Sequence, residues 1–107
     1  MTVINKTPHD VVILNDNNKV DKIYVKSTEP IRLQSSIVRD EPLPDGTPTC
    51  RTVFGEPEGL PDYKEGVYYI VSQIVKSALP DRPDLLVPAE VVRDENGVII
   101  GCKSLSR

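Results

Sequence analysis

The chain has 107 residues, 38% hydrophobic and 27% charged, with a net charge of −3 and a pI near 5.1. That is the composition of one soluble folded domain spanning residues 1–107, and it excludes a disordered tail. The acidic balance and the scattered placement of 13 Lys and Arg exclude general nucleic-acid binding, which needs a basic stripe to displace counterions.

No apolar run approaches the ~20 residues of a membrane span. The opening residues, Met1 to Asp10, lack the apolar stretch of a secretory signal, so a cytoplasmic location is expected. Valine and isoleucine outnumber leucine. These side chains are stiff at χ1 and suit a pleated surface, which favours sheet over helix bundle. Cys50 and Cys102 are too few for a disulfide framework, and each is expected as a small buried hydrophobe.

Along the chain, residues 3–5 read as a strand that Thr7-Pro8-His9-Asp10 bends or ends. Val11 to Leu14 is a short apolar strand. Asn15 to Lys19 is a turn, because Asn and Asp tolerate positive φ and hydrogen-bond their own backbone. Val20 to Val25 returns as the second hairpin arm. Ile31-Arg32-Leu33-Gln34 alternates apolar and polar, the mark of a half-buried strand, with Ile37 and Val38 extending it past a bulge at Ser35-Ser36. Residues 40–49 form a proline-held loop. Thr49 to Phe54 is a strand stopped by Gly55, and Glu56 to Gly66 is a surface loop.

Val67 to Val71 is apolar at every position and belongs in the centre of a sheet. Ser72 is an N-cap. Ile74, Val75, Ala78 and Leu79 then recur at helical spacing until Pro80, which cannot continue a helix, so one short helix spans about 72–79. Asp81 to Asp84 is a turn, and Leu85 to Val87 returns to the core. Glu90 to Arg93 and Val98 to Lys103 flank Asp94-Glu95-Asn96-Gly97, whose Asn-Gly pair is the strongest hairpin signal in the chain. The first and last hairpins faintly echo each other. The expected fold is a β-rich α+β domain of six to eight short, mostly antiparallel strands in a twisted or partly closed sheet.

A single histidine and two separated cysteines exclude the His-rich and all-Cys zinc sites. No phosphate-binding glycine loop or nucleophile elbow is present, so neither cofactor nor metal is expected and the protein reads as a non-enzyme. A small hydrolase or transferase would rest on His9 or an acid such as Asp84. The positive pattern is for an anionic ligand. Ser72 opens a helix after a core strand, either as a plain cap or with backbone N–H groups free for phosphate. Arg51, Arg82 and Arg93 offer planar forks suited to phosphate, although Arg82 between Asp81 and Asp84 also suits an ion pair. Tyr68 and Tyr69 are either core or a platform for a base, on opposite faces of their strand. His9 is a turn or packing residue, or a ligand contact at a strand end. On the ligand reading, Arg82→Ala abolishes binding and leaves the melting temperature unchanged.

Several segments together resemble a family of short phage and prophage proteins without an established activity: Ile4-Asn5-x-Thr7-Pro8-His9-Asp10, Arg51-Thr52-x-Phe54-Gly55-Glu56-x-Glu58-Gly59-Leu60-Pro61, Tyr69-Ile70-Val71-Ser72, Ala78-x-Pro80-x-Arg82-x-Asp84-Leu85 and Arg93-Asp94-x-x-Gly97-x-Ile99-x-Gly101-Cys102. The resemblance implies a phage context and a site drawn from His9, Arg51, Ser72, Arg82 and Asp84. The resulting expectation is a small oligomeric binding protein that sequesters a nucleotide-like anionic signal, as anti-defence sponges do. The alternative is a protein-interaction module, either a phage accessory or structural component or an inhibitor of a host protein.

Overall fold

The computed structural model describes all 107 residues. Eight strands and one helix follow in the order β1 (Thr2–Asn5), β2 (Val11–Leu14), β3 (Val20–Tyr24), β4 (Arg32–Asp40), β5 (Thr49–Glu58), β6 (Val67–Ile70), α1 (Gln73–Ala78), β7 (Leu85–Arg93) and β8 (Ile99–Ser106). Six strands form one sheet in the order β1-β6-β7-β8-β2-β3, while β4 and β5 pair only with each other.

The apolar run ending in Val71 lies where its pattern demands. β6 sits between β1 and β7 and buries both faces. Tyr69 and Val71 join Val75 of the helix, Leu85 and Val87 in one core cluster. Ile70 points the other way, to Val11 and Cys102. Ser72 caps the helix, its Oγ accepting from the Val75 N–H at 3.3 Å. The helix carries the chain from β6 over to β7, and a crossover of this kind returns the next strand parallel.

This crossover changes the expected pairing. β1–β6, β6–β7 and β2–β8 are parallel, and only β7–β8, β2–β3 and β4–β5 are antiparallel. The sheet is therefore mixed, not mostly antiparallel. β7 runs straight through Pro88, because β6 pairs only with Leu85 and Leu86. Pro88 lies past that ladder's end, where a missing N–H removes no bond to β6.

The first and last hairpins share one turn. Asn15 Oδ1 accepts from the backbone N–H groups of Asn17 and Lys19, as Asp94 Oδ1 does from Asn96 and Val98. Asn18 and Gly97 hold the positive φ at 59° and 79°. In both, the returning strand carries one unpaired extra residue, Asp21 or Ile100. Such a bulge sharpens local twist.

Gly55 does not stop its strand. β5 runs on to Glu58, and the pairings Leu33↔Pro57 and Ser35↔Phe54 leave Gly55 and Glu56 opposite Gln34 alone. The bulge thus lies on β5 rather than at Ser35-Ser36. Its base is anchored where Ile31, Leu33 and Leu60 pack on the helix-side cluster. Beyond it, every residue from Gln34 to Glu56 except Thr49 is exposed, Cys50 included. The pair is an arm. It gives the chain a radius of gyration of 17.1 Å, against about 13 Å for a compact domain of this length. No helix is long and apolar enough to cross a membrane.

Candidate functional site

The strand-end segment Thr7 to Asp10 is held from below by Asn5, which is buried at the end of β1. Its Nδ2 donates to the carbonyls of His9 (2.8 Å) and Tyr24 (2.9 Å). Its Oδ1 accepts from the Thr7 N–H (2.9 Å) and hydroxyl (2.7 Å). One buried amide therefore fixes both the turn after β1 and the end of β3. All its polar capacity is used, as burial requires. Sequence reasoning passed over Asn5 as a site-shaping residue, although Asn two positions before Thr is a known turn-forming pair.

The turn overhangs a groove of about 410 Å³ lined by His9, Asp10, Val12, Val71, Ser72, Pro88, Val91, Ile99, Gly101 and Cys102, among others. Its walls are mostly apolar, with His9, Asp10 and Ser72 as polar groups. Gly101 is required here because β8 and β2 approach closely: a Cβ on it would lie 2.8 Å from Leu14 Cγ and 2.9 Å from the Val12 carbonyl oxygen.

Of the sequence-predicted site residues, this groove brings together His9 and Ser72. The other six lie elsewhere. Arg51 is on the arm, paired across from Val38. Arg93 Nη1 donates to the Gly97 carbonyl at 3.0 Å and pins the last hairpin. Tyr69 is a core residue at 5% exposure. Tyr68, on the opposite face, lines a separate hollow with Tyr63, Pro83 and Asp84. The Arg107 guanidinium lies 5.9 Å from the Tyr68 ring centroid.

Arg82 and Asp84 form a two-point ion pair, with Nε to Oδ1 at 2.9 Å and Nη2 to Oδ2 at 2.7 Å. Arg82 Nη2 also donates to the Pro61 carbonyl at 2.9 Å, tying down the loop before β6. The Asp84 side chain is 1% exposed and that of Arg82 23%. The hydrogen bond to Asp84 raises the Arg82 pKa above its ordinary value, against a smaller opposing effect of burial. The phosphate-binding fork is thus engaged by a buried carboxylate. Its removal is therefore expected to lower the melting temperature rather than leave it nearly unchanged.

His9 and Cys102 line the same groove, which raises the question of thiol chemistry. Burial pushes the Cys102 thiol above its ordinary value of 9.0. Its Sγ–H points to the Val12 carbonyl at 3.6 Å. A nucleophilic cysteine needs the opposite environment, one that lowers the pKa and exposes the thiolate. Cys102 is a packing residue, as its apolar surroundings suggested. Cys50, expected to be buried, is exposed because the arm has nothing packed on it.

The arm itself is the feature that sequence reading missed. Ile37 and Phe54, on one face, are 72% and 41% exposed. Val38 and Val53 lie on the other face, at 38% and 40%. The signal was present in two long strands with charges on both faces, which no single core can cover. Compared with family models, with curated proteins and with solved structures, the chain matches none.

Proposed function

We propose that the protein is a non-enzymatic interaction module whose recognition element is the β4–β5 arm. One observation carries this reading: beyond the bulge, the six ladder pairs from Ser35↔Phe54 to Asp40↔Thr49 stand in water with Ile37, Leu43, Val53 and Phe54 uncovered. A two-stranded hairpin is marginal in water by itself and needs a third layer or strand to be stable. Its outer edges also present unpaired backbone groups, the usual template for strand addition. A protein partner supplies both. The raised Cys102 thiol and the engaged Arg82 favour binding over turnover.

The same reading takes the main sheet as partly closed. Tyr24 is bonded to Asn5, Ser27 to Thr7 and Ile31 to Lys6, so the chain leaving β3 is laced to the end of β1. It also takes the setting to be a phage accessory protein in the host cytoplasm, following the resemblance described above.

A second reading is favoured by the groove alone: sequestration of a small ligand between His9 and Ser72. Its volume falls within the ~300–1,000 Å³ of small-molecule sites. A nucleotide-like ligand there would find no arginine fork among the lining residues.

The two readings separate in one experiment. Tagged wild type and the double variant Ile37→Ser/Phe54→Ser are used as bait in a bacterial lysate, and each is denatured and assayed for released small molecules. The arm reading expects a stoichiometric protein partner, either a lysate protein or a co-expressed untagged copy of this chain, that the variant loses while keeping its melting temperature. Equal capture by both baits, or a released nucleotide without a protein, overturns it.

A further inference from the structure

We infer that the occupant of the arm is a second copy of this chain. The Ile37/Phe54 face of one copy seats in the apolar groove of the other, and the reciprocal contact closes a two-fold dimer. This rests on the reading of the arm as the recognition element and names its partner.

Three observations carry it. The first is that both halves of an interface are present in one chain. The register Ser35↔Phe54, Ile37↔Thr52 and Arg39↔Cys50 puts Ile37, Phe54 and Arg39 on one arm face, since paired and alternate residues share a side. Ile37 and Phe54 are diagonal neighbours there, within ~7–8 Å. The body carries an open groove walled by Val12, Val71, Val91 and Ile99. Val91 and Ile99 are 46% and 56% exposed.

The second is area. The chain exposes 7825 Å², whereas a compact monomer of this mass exposes about 5,900 Å². The excess is roughly 1,900 Å² per chain, so a dimer hiding it buries close to ~3,800 Å² in total, within the range of obligate homodimers. A standard-size interface would cover only ~800 Å² of it on this side, so the area calls for an interface of the large, permanent class.

The third is charge. Arg39 follows Ile37 on the same face, and Asp10 stands at the groove rim with one carboxylate oxygen on the Lys26 N–H. The other oxygen is free to meet an arriving guanidinium. A net charge of −3 adds little self-repulsion. Two complementary patches on one chain close most simply under two-fold symmetry, each copy giving an arm and receiving one.

The test is sedimentation velocity of the full chain over a concentration series. Three samples are compared: wild type, the arm variant Ile37→Glu/Phe54→Glu, and the groove variant Val91→Glu. All three positions are exposed, and circular dichroism confirms that the variants fold. Wild type is expected to be dimeric. Each variant is expected to weaken the dimer by about 100-fold or more, as for loss of central apolar anchors. Mixing the two variants should give a heterodimer that keeps one of the two contacts, the groove variant's arm in the arm variant's groove, and so associates more tightly than either variant alone. A wild type monomeric at every concentration overturns the inference, while the lysate experiment still decides separately whether the arm binds another protein. A dimer indifferent to Val91→Glu, or variants that fail to complement on mixing, overturns the arm-in-groove arrangement.

Discussion

Arg82→Ala is the sharpest test of how this fold is held together. The side chain it removes makes the two bonds to the Asp84 carboxylate, at 2.9 and 2.7 Å, and one to the Pro61 carbonyl at 2.9 Å. Asp84 is 1% exposed, and Arg82 supplies all the side-chain hydrogen bonds its carboxylate makes. Truncation therefore leaves a buried carboxylate without its counter-charge, which costs about 3–5 kcal/mol. A small domain has only ~5–15 kcal/mol in total. With an unfolding entropy near ~2.1 cal/mol/K per residue, the melting temperature should fall by roughly 13–22 °C. The double variant Arg82→Leu/Asp84→Leu removes both charges, and its loss should stay under about 1 kcal/mol, since an apolar pair often replaces an ion pair without penalty. Urea unfolding of wild type, Arg82→Leu, Asp84→Leu and the double variant closes a double-mutant cycle, with unchanged slopes confirming a common unfolded state. An Arg82→Ala protein melting within a few degrees of wild type would refute the reasoning. It would mean that water or another donor reaches Asp84, and Arg82 would again be free to act as a ligand residue.

Three other outcomes are expected. Gly101→Ala should cost about 1–3 kcal/mol by overpacking against Leu14 and the Val12 carbonyl, read as a lower urea midpoint; an unchanged midpoint would mean that β2 and β8 are free to separate. The two thiols should differ sharply. In the arm variant Ile37→Glu/Phe54→Glu, Cys50 should react with a disulfide reagent at the rate of a free thiol, and Cys102 only on unfolding. Because burial raises the Cys102 pKa above 9.0, its contribution to stability is full below pH 9 and declines as pH rises from there toward the folded-state value. Cys102→Ala should remove that alkaline decline; its persistence in the variant would assign it to another group.

Much of the local structure was legible in the residues alone. The apolar run ending in Val71, the Ser72 cap and Pro80 together specify a buried strand and a short helix, because each acts within a few residues of itself. The Asn15 and Asp94 turns were legible for the same reason, although the residues show only a faint echo of the hydrogen-bond pattern they share. Gly55 was read as a stop and proved to be a bulge. A glycine in a strand permits either, and the choice belongs to the partner strand. Of the site residues, His9 and Ser72 meet in one groove, while Arg51, Arg82 and Arg93 do not. Their types suit phosphate, but side-chain type carries no information about where the chain brings them.

By itself, then, the sequence determined the kind of elements, their approximate number, the turns and the single helix. Those follow from periodicity, capping and turn propensity, all of them short-range. Only the tertiary structure decided that β1, β6 and β7 run parallel, that Arg82 is committed to a buried Asp84, and that β4 and β5 leave the body as an uncovered arm. Each depends on which distant segment a residue meets, and strand pairing, ion-pair burial and exposure are settled by those long-range meetings.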